Sequence, residues 1–193
     1  MCCLPPGQLP SGVVTGGSHA VALRLLTPAH LAMAPDQFFE AGSVRVLTAQ
    51  AFSFVFDGQL RRAVQAQNFL TLVVLEVQRD SAGLNIRADD HTVDEMASVI
   101  SHEVRDTDLI GKTEKGTLSL VLLDADFESS TRVIDRLVSQ IDRHGFPTPL
   151  RVSIGAACYP THAIDADSLT RQASSRPVIN WPGARQPTSP SHH

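Results

Sequence analysis

The spacing of apolar residues changes repeatedly along the chain, and this change limits the fold to one that mixes helices and strands. Residues 70–77 form a short, β-branched apolar run, which is typical of a strand buried on both faces. Helical patterns alternate with such runs in the order α-β-α-β-β-α-β-α, which predicts an α/β (α+β) domain with a helix-flanked mixed sheet and one hairpin. The first helix is indicated by five apolar residues at helical spacing: Phe52, Phe56, Leu60, Ala63 and Val64.

Local signals predict where the later elements begin and turn. Thr92 is the predicted N-cap of the second helix. The apolar pair at 109–110 and the run at 118–123 predict a hairpin that turns through residues 112–116. The remaining elements are a helix over 131–141, a strand over 150–157 and a short helix that starts at Asp167.

Proline, glycine and serine are concentrated at the two ends of the sequence. Residues 1–45 predict a flexible leader, and residues 176–193, with four prolines, predict a disordered tail. The regular patterns lie between them, so residues 46–175 form the predicted domain.

The composition excludes several classes of function. A net charge of −4 argues against non-specific binding to nucleic acid, which needs a positive surface. No apolar run approaches the roughly 20 residues that a membrane-spanning helix needs. The three cysteines, two of them adjacent at Cys2 and Cys3 and the third at Cys158, do not form a disulfide framework. We therefore expect a cytoplasmic protein.

Residues 105–118 read RDTDLIGKTEKGTL, and this segment resembles the signature region of the GGDEF family of diguanylate cyclases. The following strand, the helix that carries Arg132 and Arg136, and the Ser-Ile-Gly-Ala strand at 153–156 also keep the family's spacing. The likeness covers roughly residues 50–175. It implies the nucleotide-cyclase-like fold, with a central mixed five-stranded sheet flanked by helices, and a role in bacterial second-messenger signalling.

The signature itself departs from the family's pattern. It reads Glu114, Lys115, Gly116, Thr117 and Leu118. The family's third position supplies a magnesium ligand and its fourth a catalytic glutamate, whereas Gly116 has no side chain and Thr117 has no carboxylate. The two leading glycines, which let the backbone approach the nucleotide, are replaced by bulkier residues. We therefore expect no catalytic residue here and no diguanylate cyclase activity.

The other positions that hold metal and substrate in the family are altered as well. Glu76 is the only candidate metal ligand on the first strand, and two-metal chemistry needs carboxylates placed around both ions. Residues 81–92 lack the family's glycine-rich pattern near the guanine, and the Ala-Lys pair that supports phosphate is absent after Ala173. We expect no cofactor, with magnesium required only if residual cyclase activity persists through Glu76.

A second ligand site of the family keeps its residues. The resemblance implies a product-binding inhibitory site formed by Arg105, Asp108 and Arg136, which stand at the family's distances from the signature. Arginine grips phosphate oxygens and guanine edges in a bidentate way, and aspartate accepts from guanine N–H groups. The implied ligand is cyclic di-GMP. The alternative is local: an ion pair or cap at a helix-to-strand joint, and a solvated Arg136.

Three functions remain open from the sequence. The first is a catalytically inactive GGDEF-like domain that acts as a cyclic di-GMP receptor. The second is a protein-interaction or dimerisation module that works without nucleotide. The third is a residual diguanylate cyclase.

Overall fold

The computed structural model describes residues 38–40, 45–81 and 84–181. Within these ranges, none of the four helices is both long and apolar enough to cross a membrane. The helices are α1 (Ala49–Ala66), α2 (Asp90–Ser101), α3 (Phe127–His144) and α4 (Ala166–Ser175). The strands are β1 (Val46–Leu47), β2 (Leu70–Ser81), β3 (Leu84–Arg87), β4 (Leu109–Glu114), β5 (Thr117–Leu123), β6 (Leu150–Tyr159) and β7 (Pro177–Trp181).

These strands form one mixed sheet in the order β1-β4-β5-β2-β6-β7, with β3 paired to the outer part of β2. β1 and β4 are parallel, and the other pairs are antiparallel. The predicted fold class is confirmed, but the described residues contain seven strands and the expected number was five. The added strands lie at the edges and are short, so they lack the apolar run by which a buried strand is recognised in a sequence.

Both faces of the sheet are covered by helices, as the central strand β2 shows. Successive residues of β2 point to opposite sides and therefore enter different cores. Val73, Leu75 and Val77 belong to the core that includes α2 and α3. Leu72 and Val74 belong to the core that includes α1 and α4. The prediction that residues 70–77 form a strand covered on both sides is confirmed, and the two cores hold the helices in place around it.

Helices α2, α3 and α4 start at aspartate caps, whereas α1 starts at Thr48; one of these caps changes a predicted boundary. The carboxylate of Asp89 accepts a hydrogen bond of 3.0 Å from the backbone N–H of Thr92, so Asp89 and not Thr92 is the N-cap of α2. Hydrogen bonds from the backbone and hydroxyl of Thr92 hold the pKa of Asp89 below its usual value. α3 likewise begins after Asp126 and is longer than predicted at both ends. On α1, Val64 was predicted to face the core but is 45% exposed.

The two ends of the predicted domain also differ from expectation. β7 pairs with β6, so the tail that was predicted to be disordered from Arg176 onward begins with an edge strand. Its alternate residues Ile179 and Trp181 pack against the core, which stabilises this pairing. Residues 182–193 lie outside the described residues. Most of the predicted leader does too, but Phe39 forms a bridge with Leu47.

Candidate ligand-binding site

The signature residues occupy the hairpin between β4 and β5. Glu114 ends β4, and both it and Lys115 are exposed. Gly116 completes the turn, and Thr117 and Leu118 begin β5. Thr117 is only 7% exposed, and the side chain of Leu118 is buried in the core. The predicted hairpin is confirmed, with its turn at the C-terminal end of the predicted segment 112–116.

The geometry of this turn requires glycine at position 116. Gly116 has a φ of +74°, in the left-handed region that favours glycine. A Cβ on it would lie 3.1 Å from Cβ of Arg87 and 3.2 Å from the carbonyl oxygen of Val77. The carbonyl of Gly116 also accepts a 2.8 Å hydrogen bond from the N–H of Val77. The position at which the family resemblance implies a metal-binding carboxylate is therefore packed against backbone.

The chain's own β3–α2 connection covers this turn. The guanidinium of Arg87 donates to the carboxylate of Glu114 at 3.3 Å and to the carbonyl oxygen of Lys115 at 3.1 Å. The N–H of Ala88 donates to the carbonyl of Val77 at 2.9 Å, which continues the pairing with β2. One side of the signature turn is therefore in contact with Arg87 of the same chain.

A cleft of about 330 Å³ opens beside the signature, and we call it the signature cleft. Its lining combines the carboxylates of Glu76 and Glu114 and several hydroxyl side chains, Thr117 among them, with apolar side chains of α1 and β2. No lysine or arginine is among its lining residues. Its fixed side-chain charges are therefore negative, although Glu114 is shared with Arg87. A triphosphate would meet repulsion from Glu76 in this cleft.

The loop after α2 holds the first two residues of the predicted inhibitory-type site. Asp108 is 9% exposed, and its two carboxylate oxygens accept from the N–H groups of Arg105 at 3.0 Å and Leu123 at 3.2 Å. The N–H of Asp108 in turn donates to the carbonyl of Arg105 at 3.0 Å. Asp108 therefore closes the loop locally and ties it to the end of β5, as the alternative reading of this pair expected.

Arg105 itself is exposed, and its guanidinium has no hydrogen-bond or ion-pair partner within the described ranges. It lines a second cleft, of about 430 Å³, together with Arg62 of α1, Asn68 and Phe69; we call this the arginine cleft. Asn68 donates a hydrogen bond of 2.7 Å to the carboxylate of Asp124, which lines the same cleft. Arg62 and Arg105 are the cationic residues of this lining. The backbone beneath Arg105 is held by the guanidinium of Arg45, which donates to the carbonyls of Ser101, Val104 and Arg105.

Arg136, the third predicted residue, contacts the same loop but not the arginine cleft. Its Nε lies 3.1 Å from Oε2 of Glu103, and its Nη2 donates to the carbonyl oxygen of Glu103. Glu103 stands two residues before Arg105, so the structure brings all three predicted residues to one loop. Arg105 and Arg136 nevertheless point into different surroundings, and Asp108 serves the backbone.

Comparison of the sequence with protein-family profiles and with curated proteins finds no match. Comparison of the structure finds many similar folds. The chain resembles a DGC protein from Thermotoga maritima at 18% identity, with a TM-score of 0.56 over 67% of this chain and 96% of that one. The chain has the GGDEF-domain fold. The resemblance seen in residues 50–175 is therefore confirmed at the level of the fold.

Two further structures with the GGDEF fold are similar to this chain. One is the GGDEF domain of DgcB from Caulobacter crescentus in complex with cyclic di-GMP, at 13% identity and TM-score 0.56, covering 75% of this chain and 90% of that one. The other is the diguanylate cyclase SiaD in complex with its activator SiaC from Pseudomonas aeruginosa, at 17% identity and TM-score 0.56. That match covers 69% of this chain and 56% of SiaD.

The residues around the signature turn do not fit a pair of magnesium ions. Gly116 supplies no side chain, Thr117 supplies a hydroxyl, and Glu114 is bound by Arg87. Glu76 is the one acidic residue of the cleft without a cationic partner in the described part of the chain. These ranges also contain no group of three or more His, Cys, Asp or Glu residues that could hold a metal. The turn therefore lacks the carboxylates that two-metal phosphoryl transfer requires.

Two polar residues of this GGDEF fold were not predicted as part of a site. Arg62 lies on the exposed side of α1, and no local pattern in the sequence connects it with Arg105. Glu103 follows α2 and carries no motif, and only the packing of α2 against α3 brings it to Arg136. Both contacts join residues far apart in the sequence, where a local pattern carries no signal.

Proposed function

We propose that this GGDEF-fold domain binds cyclic di-GMP as a receptor in bacterial second-messenger signalling and does not synthesise it. The observation that carries the proposal is the unpaired guanidinium of Arg105 beside Arg62 in a cleft of about 430 Å³. The proposed setting is the cytoplasm, where Cys158, a buried free cysteine, remains reduced.

The chemistry of the arginine cleft suits a cyclic dinucleotide. Each guanidinium offers donors in a planar fork that matches the oxygens of a phosphodiester, and cyclic di-GMP carries two such groups. Phe69, at 45% exposure, offers a ring face to a purine base. In this proposal Asp108 positions the loop that carries Arg105, and the ligand extends past that loop to Arg136, which contacts it at Glu103.

The proposed lack of cyclase activity is supported by the signature hairpin. The side chains present at the third and fourth signature positions carry no negative charge, and Arg87 covers the turn. The signature cleft has no cationic side chain to hold a triphosphate. Glu76 alone does not replace the carboxylates that two-metal chemistry requires.

Titration calorimetry with cyclic di-GMP tests the receptor function. We expect saturable binding to the parent protein and at least a roughly tenfold weaker affinity for Arg105→Ala, because charge-assisted bidentate contacts are the strong ones. Arg132→Ala is the matched control, since Arg132 is an exposed arginine on α3 that pairs with Glu128 in its own helix and does not line the arginine cleft. Absence of binding by the parent protein at high micromolar ligand would end the proposal.

The catalytic part of the proposal has a separate test. The protein is incubated with GTP and either magnesium or manganese, and the products are separated by chromatography. We expect neither the linear dinucleotide intermediate pppGpG nor cyclic di-GMP. Formation of either product at a rate that depends on Glu76 would show a residual cyclase instead.

An interaction module is the second candidate function. Large apolar side chains stand out from separate parts of the surface, with Phe54 71%, Leu84 69% and Ile164 72% exposed. SiaD, which shares the fold, is known in complex with a protein activator. This function predicts association that rises with protein concentration and ignores cyclic di-GMP. Light scattering with and without the nucleotide distinguishes it from the receptor.

A further inference from the structure

We infer that Glu103 competes with the bound ligand for the guanidinium of Arg136, next to the loop that carries Arg105. Its carboxylate thereby sets the affinity of this site. The inference rests on the proposed receptor function, since it concerns how tightly the same loop binds an anion. Glu103 belongs to no signature motif and is placed by the packing of α2 against α3.

The contacts of Glu103 all lead to α3. Oε2 lies 3.1 Å from Nε of Arg136, and the backbone carbonyl of Glu103 accepts from Nη2 of the same guanidinium. Oε1 accepts from the side-chain amide of Gln140, one turn further along α3. One residue thus engages Arg136 twice and is itself held in place by a neutral donor.

Because Glu103 is largely buried, its negative charge acts strongly on Arg136. The side chain of Glu103 is 17% exposed, so water and salt screen its charge less than that of a surface carboxylate. The side chain of Arg136 is 52% exposed, so an incoming ligand can reach its outer edge. A guanidinium has five N–H donors, of which Glu103 takes two.

A phosphate that reaches Arg136 therefore meets a cation that is already neutralised by a fixed neighbour. Carboxylate and phosphate are acceptors of the same kind for arginine, and two anions at one guanidinium repel each other. Glu103 consequently weakens ligand binding, and a ligand must either displace it or accept fewer donors. Removal of its charge with its shape preserved should strengthen binding.

The same helix supplies a matched control pair. Arg132, one turn before Arg136, pairs at 2.6 Å with Glu128, which lies one turn earlier still; their side chains are 76% and 78% exposed. This pair has the same chemistry but is fully open to solvent. Its removal should leave ligand affinity unchanged, because exposed pairs contribute little and are screened.

The experiment is a titration of cyclic di-GMP into the full chain and four variants: Glu103→Gln, Glu128→Gln, Arg136→Ala and the double variant of Glu103 and Arg136. We expect Glu103→Gln to bind roughly three- to tenfold more tightly and Glu128→Gln to bind as the parent does, on the scale of a single partly buried charge pair. The gain should vanish in the Arg136→Ala background, since Glu103 then has no guanidinium to occupy.

The outcomes separate this inference from the proposed function. If the parent binds and Glu103→Gln binds equally or more weakly, the competitor role is overturned and the receptor function stands. If neither the parent nor Glu103→Gln binds, both fail. If only Glu103→Gln binds, the competitor role is supported.

A measurement on the parent protein covers the case in which Glu103→Gln does not fold. The Nε–H signal of Arg136 in nitrogen-correlated NMR should shift on saturation with cyclic di-GMP, as its bond to Glu103 is exchanged. A signal that stays in place while the backbone signals of Arg105 move would overturn the inference.

Discussion

The arginine cleft and the signature cleft present opposite chemistry on one GGDEF fold. The first is lined by two guanidinium groups and one carboxylate, that of Asp124, whereas the second is lined by two carboxylates and no cationic residue. The difference comes from a few polar positions, because the apolar residues beneath both clefts belong to the same core, the one that includes α1 and α4. One fold can thus carry a cleft lined by two guanidinium groups and another whose side chains are unsuited to phosphate.

The largest expected effect comes from emptying the arginine cleft of positive charge. Replacement of both Arg62 and Arg105 by alanine should weaken cyclic di-GMP binding by about 100-fold or more, because both bidentate donors are lost. Arg62→Ala alone should cost roughly tenfold. Arg61→Ala is the matched control, since this neighbour is exposed but does not line the cleft. Equal losses for Arg61 and Arg62 would break the comparison.

A second prediction asks whether the signature cleft can be returned to the family's pattern. Gly116→Asp should destabilise the fold by about 1–3 kcal/mol, since the left-handed backbone and the nearby Arg87 both resist a side chain. The free energy of unfolding in urea measures this. Gly145→Asp separates the causes, because Gly145 also has a positive φ, of +66°, but no neighbour within 4 Å of its Cβ position. If the free energy of unfolding falls less for Gly116→Asp than for Gly145→Asp, steric crowding at Gly116 is contradicted.

A third prediction concerns the charge that anchors the connection over the signature turn. Asp89 caps α2 and pairs with Arg79 at 2.8 Å. Its pKa in the folded protein lies below its ordinary value of 3.8, so its ionised form contributes stability above pH 3.8 that is lost as pH falls through the folded pKa. Asp89→Asn should therefore lower the urea midpoint at neutral pH, and this difference should shrink as the solution is acidified below 3.8. A difference that is independent of pH argues against the charge.

The smallest expected effect is at Glu76. Glu76→Gln should leave the affinity for cyclic di-GMP within about twofold of the parent value, because Glu76 lines the other cleft and such distant sites usually act independently. The same calorimetric titration measures it. A large change in affinity would mean that the two clefts are coupled and that their separation is wrong.

Local periodicity explains which parts of this fold were predictable. The apolar run at 70–77 and the inward residues of α3, Ile134, Leu137 and Ile141, are all buried as their spacing indicated. The signature segment lies on the predicted hairpin for the same reason. The edge strand β7 was missed because proline at 177 and mostly exposed residues resemble a loop.

The sequence alone determined the order of the buried elements, most of the faces they bury and the residues that stand at the signature. Spacing along the chain reports burial directly, because a helix repeats every 3.6 residues and a strand every two. The tertiary structure decided which polar groups come together: Arg62 and Arg105 line one cleft, Glu103 pairs with Arg136, and Arg87 binds the signature turn. These contacts depend on how distant elements pack, and polar side chains at a surface leave no periodic trace of their partners.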